Sequence, residues 1–305
     1  MGAMSPGAYE KSLLIIMIAV LFMYKSDRRK MMSFRIGLCQ MGGSDAQDIY
    51  SNKQETWQKA SSMVRRAKDA GCDIVCLPEM WNTPYANRYF EPYAETEDGD
   101  TVSRMSALAG ELGIYLAGGT ISEREENRVY NTAYVFDRNG RIIGKHRKAH
   151  LFDVDIEGGI RFMESETLSS GDCATVIDTE FGRIGIAICF DVRFPEFFRK
   201  MTLEGAKMVI LPAAFSKKTG TDHWHLAMRS RAVDNQVYFA AVSPAYAEGG
   251  IYEAYGHSLV SDPWGKVIAE AGTGEEIVYA DIDFEYVDSV RQQLPLLRAR
   301  RPEIY

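Results

Sequence analysis

GIAICFDVRFPE, residues 185–196, decides how this chain is read. Gly185 to Phe190 are small or apolar, as in a strand buried on both faces. A thiol, Cys189, stands at its end. Asp191 and Arg193 open a polar turn, and Pro195 begins a run of helical character through Leu203. Strand ends in α/β proteins are where sites are built, so the position of Cys189 asks for a chemical reason.

Working outward, the segments alternate between short apolar runs and helical spacing. FRIGLCQM (34–41) reads as a strand beginning at Ser33. Trp57, Ala60, Met63, Val64 and Ala67 carry the 3.6-residue period of a helix over 52–68, stopped by Gly71. CDIVCLPE (72–79) reads as a strand, 102–112 as a helix ending at Gly113, and IYLAGGTI (114–121) as a strand. VYNTAYVFD and RIIGKHRKAHLF flank Asn139-Gly140, a pair that predicts a type I′ hairpin turn. AKMVILP, YFAAVSP and EIVYADIDF are further strands, SLVSDPWGKVIAEAG a second hairpin, and 226–237 a helix. Buried strands among helices and hairpins imply sheets covered by helices.

Bulk properties narrow the function. A formal charge of −7 over 305 residues argues against a nucleic-acid partner. Five scattered cysteines in so large a chain point to a reduced, cytoplasmic setting rather than a disulfide scaffold. Cys39, Cys72, Cys76 and Cys173 are read as packing residues. The run LLIIMIAVLFMY (13–24) is 12 residues long, short of the roughly 20 that span a bilayer. Residues 1–32 are therefore read as an extension, either appended or membrane-associating, ahead of one domain over 33–305. His223 and His225 are spaced i, i+2 on a helix and do not face one ligand. No third ligand is evident, so no metal is expected, and no glycine-rich phosphate loop stands between a strand and a helix, so no cofactor is expected.

AGCDIVCLPEMW (70–81) and EGAKMVILPAAF (204–215) share a glycine, an apolar strand and Leu-Pro at the same spacing. They read as related helix-to-strand units or as a chance likeness. The first copy carries Glu79 where the second has Ala213, so the fold itself does not require that carboxylate. Glu79, Lys148 and Cys189 thus stand at three comparable strand exits.

LPEMWNTPY (77–85), HRKAHLFDVDI (146–156) and GIAICFDVRFPE strongly resemble the three signature segments of the nitrilase superfamily of carbon–nitrogen hydrolases. FMESETLSSGD (162–172), RSRAVDNQVY (229–238) and DPWGKV (262–267) resemble its omega-amidase branch. The resemblance covers 35–305 and implies a four-layer α-β-β-α sandwich, commonly a homodimer. It implies Cys189 as nucleophile, Glu79 as proton carrier, and Lys148 with the Phe190 backbone N–H as oxyanion donors. Glu164 would position Lys148 or the substrate; by residue type alone it would be placed at the surface. The implied activity is hydrolysis of a small linear amide to acid and ammonia through a thioester. The omega-amidase branch acts on monoamides such as 2-oxoglutaramate and 2-oxosuccinamate. An N-carbamoyl amine, a nitrile, or a silent binding protein on the same scaffold are the alternatives. A distal carboxylate would need Arg193 or Tyr85, unless Arg193 is spent in an ion pair with Asp191 or Glu196.

Overall fold

The computed structural model describes residues 33–43, 48–155 and 161–304. The apolar run at 13–24, and the extension read over 1–32, lie outside the described residues.

The chain folds around two six-stranded sheets. The first is ordered β14 (Glu276–Asp283), β1 (Ser33–Gln40), β2 (Ile74–Cys76), β3 (Tyr115–Glu125), β4 (Arg128–Phe136) and β5 (Ile142–Arg147). The second is ordered β8 (Thr175–Thr179), β9 (Gly182–Ile186), β10 (Met208–Pro212), β11 (Tyr238–Val242), β12 (Leu259–Ser261) and β13 (Val267–Glu270). In each sheet three strands run parallel, β1–β2–β3 and β9–β10–β11, with antiparallel strands on both sides. A two-stranded ribbon, β6 (Asp153–Asp155) with β7 (Arg161–Met163), stands apart. The two Leu-Pro segments occupy equivalent places: β2 and β10 are each the middle parallel strand. The repeated sequence pattern is therefore a repeated half of the architecture.

Side-chain alternation builds the layers. From β1, Phe34, Ile36 and Leu38 enter the core between the sheets, where they meet Ile184, Ile186 and Met208. Cys39 points the other way, toward Ala60, Met63, Val64 and Ala67 of α1 (Ile49–Asp69). Met105 and Leu108 of α3 (Asp100–Leu112) join that outer layer; the short α2 (Asn87–Tyr93) lies between these helices in sequence. Beyond the second sheet, α4 (Pro195–Leu203) adds Phe198 and Met201, and α5 (Lys217–Asn235) adds Trp224 and Met228. α6 (Phe284–Gln293) follows β14. The result is the expected α-β-β-α sandwich.

Two local readings are corrected. The β4–β5 connection is not type I′: of Asn139 and Gly140 only Gly140 has positive φ, at 76°. Gly140 N–H donates to Asp137 O and Asp137 N–H to Arg141 O, a type I turn closed by a glycine bulge. α5 starts at Lys217, nine residues before Leu226, because Ser216 caps it by accepting from Thr219 N–H. The polar start KKTGTDHWH hides the helical period, and Gly220 is there because the Tyr255 ring packs on it; a Cβ would stand 2.3 Å from the ring.

Candidate active site

Glu79 lies just past β2, Lys148 follows β5, and Cys189 follows β9. The two sheets thus deliver all three side chains to one place, and each is buried. The Glu79 turn is seated on a bulge in β3, where pairing with β4 shifts between Ala117 and Thr120. Gly119 has φ 63°, and a Cβ there would stand 2.2 Å from Pro78 O. The bulge aims Thr120 N–H at Pro78 O (3.1 Å) and lets Thr120 Oγ1 accept from Met80 N–H (2.8 Å).

Glu79 is held by three donors, with the Tyr85 hydroxyl alongside. Oε1 accepts from Asn131 Nδ2 (2.7 Å) and Lys148 Nζ (3.0 Å) and lies 3.3 Å from Tyr85 OH, and Oε2 accepts from Ala214 N–H (2.8 Å). Ala214 follows Ala213, the residue that replaces the glutamate in the second half of the repeat. One half supplies the carboxylate and the other a backbone donor to hold it.

Lys148 Nζ also donates to Glu164 Oε1 at 2.9 Å. Glu164 enters from a 3₁₀ turn, Glu164–Glu166, and is fully buried, contrary to what its residue type alone suggests. Its Oε2 accepts from Phe152 N–H (2.7 Å) and its Oε1 from Tyr85 OH (2.7 Å). Burial alone would lower the Lys148 pKa, but Glu164 and Glu79 outweigh it and hold the ammonium well above its ordinary value. Burial raises Glu79, with Lys148 opposing and Glu164 adding. Burial and Glu79 likewise push the Cys189 thiol well up, against Lys148. Burial thus favours the uncharged form of both Glu79 and the Cys189 thiol, and the Lys148 ammonium opposes it in each.

Cys189 opens a 3₁₀ turn, Cys189–Arg193, with φ 41°, in the left-handed region that costs a side chain. The Asp191 carboxylate secures it. Oδ2 accepts from Ile188 N–H (2.9 Å) and contacts His146 Nε2 (3.2 Å); Oδ1 accepts from His150 N–H (3.0 Å) and contacts His150 Nδ1 (2.7 Å). His146 and His150 flank Lys148 by two residues on each side, and Asp191 follows Cys189 by two. One buried carboxylate therefore ties the lysine segment to the cysteine turn. Phe190, one residue into that turn, has no helical carbonyl for its N–H.

Among the described residues Arg193 forms no ion pair; the pair with Asp191 or Glu196 is not formed. Asp191 is taken by the histidines, and the Arg193 guanidinium lies over the rings of Phe190 (5.8 Å) and Phe215 (5.3 Å), 3.4 Å from His223 Nδ1. Tyr85 lines a cavity of about 360 Å³ together with Glu79, Trp81, Ala214, Tyr246 and Tyr252. Its hydroxyl is engaged with Glu164 and Glu79. Cys39, Cys72 and Cys76 are buried, but Cys173 is exposed and is not a packing residue. Sequence reasoning missed Asn131 and the Asp191 clamp. The signal for Asn131 was a lone amide within the apolar run VYNTAYVF; Asp191 stood in the opening motif but its partners are more than 40 residues away.

The carbon–nitrogen hydrolase family model matches residues 35–292. The chain belongs to that family. As a carbon–nitrogen hydrolase it is 45% identical over 275 residues to omega-amidase NIT2 of Homo sapiens, covering 90% of this chain and 98% of that relative. It is 44% identical to omega-amidase NIT2 of Xenopus tropicalis over the same shares. Among solved structures, Saccharomyces cerevisiae Nit3, described as a member of branch 10 of the nitrilase superfamily, is 42% identical. It superposes with a TM-score of 0.80 over 88% of this chain and 97% of that one. The sandwich is thus the fold of a carbon–nitrogen hydrolase, an enzyme class that hydrolyses non-peptide C–N bonds.

Proposed function

We propose that this enzyme is an omega-amidase that works through a thioester on Cys189. The observation that carries the mechanism is the joint burial of Glu79, Lys148 and Cys189, with the Glu79 carboxylate positioned by Asn131, Lys148 and the Ala214 N–H. Cys189 Sγ attacks the amide carbon while Glu79 takes the thiol proton. Lys148 and the Phe190 N–H stabilise the oxyanion; loss of one such donor typically costs about 3–4 kcal/mol of transition-state stabilisation. The intermediate collapses, the C–N bond breaks, and Glu79 returns the proton to the leaving nitrogen as ammonia. Water then attacks the thioester with Glu79 as base, releasing the acid and restoring the thiol. Glu164 and Tyr85 hold Lys148 and Glu79 in place.

The substrate class rests on the named activity of the NIT2 relatives and on Arg193. An arginine without an ion-pair partner, half-buried four residues after the nucleophile, suits a distal carboxylate. This favours 2-oxoglutaramate or 2-oxosuccinamate. Tyr85 is a poor host, because its proton is committed to Glu164. The enzyme is further read as a cytoplasmic homodimer. Exposed Leu226 and Val233 on α5, beside exposed Trp264 in the β12–β13 turn, support a second copy on that face; sedimentation velocity tests it.

The deciding experiment is ammonia release across a panel of dicarboxylic monoamides, neutral amides, carbamoyl amines and nitriles. Turnover greatest on the monoamides, with an acyl adduct on Cys189 by mass spectrometry and none in Cys189→Ala, is expected. Full activity in Cys189→Ala refutes the mechanism, and preference for a nitrile or carbamoyl amine refutes the substrate class.

A further inference from the structure

His223 and His225 face apart on α5: His223 meets Arg193, while His225 turns to the outer edge of the second sheet. There it meets two residues far away in sequence. His225 Nε2 lies 2.8 Å from Glu270 Oε1, and His257 Nδ1 lies 3.0 Å from the same oxygen. The donor atoms of all three side chains fall within 4.8 Å of one another.

The backbone holds this cluster together. Trp224, the neighbour of His225, is fully buried and donates its indole N–H to His257 O at 2.7 Å. His257 N–H donates to Gly272 O (3.0 Å) and Ala271 N–H to Ser258 O (2.9 Å), which ties the His257 loop to the residues just after Glu270. His257 has φ 55°, in the left-handed region. Helix, loop and strand are thus locked at the point where each presents one donor.

We propose that His225, His257 and Glu270 form a binding site for a divalent transition ion, with Zn²⁺ as the ligand of choice. Two imidazoles and a carboxylate are a zinc donor set, leaving the fourth position to water. Tetrahedral zinc with bonds of about 2.0–2.2 Å separates its ligand atoms by about 3.3–3.5 Å. The present contacts of 2.8 and 3.0 Å need to open by only a few tenths of an ångström. The side chains have room to do so, being 37%, 27% and 33% exposed, which also gives the ion a way in. None of the three lines the cavity at Glu79. Bound zinc would join α5 to β13 as a fastening outside the chemistry.

The test uses the full chain carrying Cys173→Ser, so that the exposed thiol offers no rival ligand. After removal of metal with a chelator, it is titrated with ZnCl₂ by calorimetry and with CoCl₂ by visible absorption. One ion per chain is expected, with a cobalt d–d band of a four-coordinate nitrogen–oxygen site. His225→Ala, His257→Ala and Glu270→Gln should each weaken binding by at least about a hundredfold, beyond what loss of an outer-shell partner produces. Metal-free ammonia release should stay at the parent rate in all three, which shows that they are folded. No saturable binding up to about 100 µM ZnCl₂ refutes the proposal. So does binding that survives in the His225→Ala, His257→Ala double variant, since the ion then sits elsewhere.

Discussion

Replacing Asp191 by asparagine tests whether the clamp between the lysine segment and the cysteine turn matters. Each carboxylate oxygen faces one backbone N–H and one imidazole. Asparagine keeps one acceptor and turns an NH₂ toward the other pair. The imidazole there can change tautomer and accept, but the backbone N–H cannot. One buried donor is then orphaned, at about 1–3 kcal/mol, and one charge-assisted bond is lost, at about 1.5–3 kcal/mol. The sum of roughly 2.5–6 kcal/mol corresponds to a fall in Tm of about 5–24 °C for a domain of this size. The turn that carries Cys189 also loosens, and a misplacement of about 1 Å costs on the order of a hundredfold in rate. kcat should drop with little change in KM. Acid titration gives an independent reading. Burial would raise the Asp191 pKa, but the bonds from His146 and His150 prevail and bring it from 3.8 to about 2. A depressed carboxylate pKa contributes stability above its unfolded value, and that share is lost as pH falls from about 4 to about 2. The difference of just under two units is roughly 2 kcal/mol. Scanning fluorimetry across this window, with ammonia-release kinetics at neutral pH, checks each part. An Asp191→Asn variant with parental Tm, kcat and acid limb would refute the clamp.

Further outcomes are expected at other sites. Gly119→Ala places a Cβ 2.2 Å from Pro78 O at φ 63°, so it should destabilise by about 3 kcal/mol or more and displace Glu79; chemical denaturation and kcat measure both. Arg193→Ala and Arg193→Lys should lose roughly ten- to a hundredfold in kcat/KM on 2-oxoglutaramate and little on a neutral amide of similar length. Equal losses on both would make Arg193 a structural residue. A chain starting at Ser33 should remain folded and keep its specific activity; precipitation or lost turnover would show that residues 1–32 take part in the fold.

The strands were legible because burial on both faces leaves unbroken apolar runs, as in MVILP and YFAAV. Glu79 and Cys189 stand at the ends of such runs, but Lys148 follows the polar strand IIGKHR and reads alone as part of a basic patch; only the resemblance of the three motifs singled out the trio. Helix α5 was read short because a cap and a packing glycine, not hydrophobic spacing, define its start. The Asn139-Gly140 turn was misread because two residues fix a hairpin's location but strand register selects its type. Contacts that depend on tertiary placement were out of reach. Nothing local tells that Ala214 donates to Glu79, that Asp191 prefers two histidines to Arg193, or that His225 meets Glu270.

The seating of Glu79 against Ala214 makes turnover a gauge of how the two sheets lie on each other. Glu79 and Lys148 leave one sheet; Cys189 and the Ala214 N–H leave the other. A slip of about 1 Å between the sheets would leave every strand paired and the far-ultraviolet spectrum unchanged, yet separate the Cys189 thiol from Glu79. In rising urea, ammonia release should therefore fail before secondary structure does. The interval between the two midpoints would measure how much sliding the inter-sheet core allows.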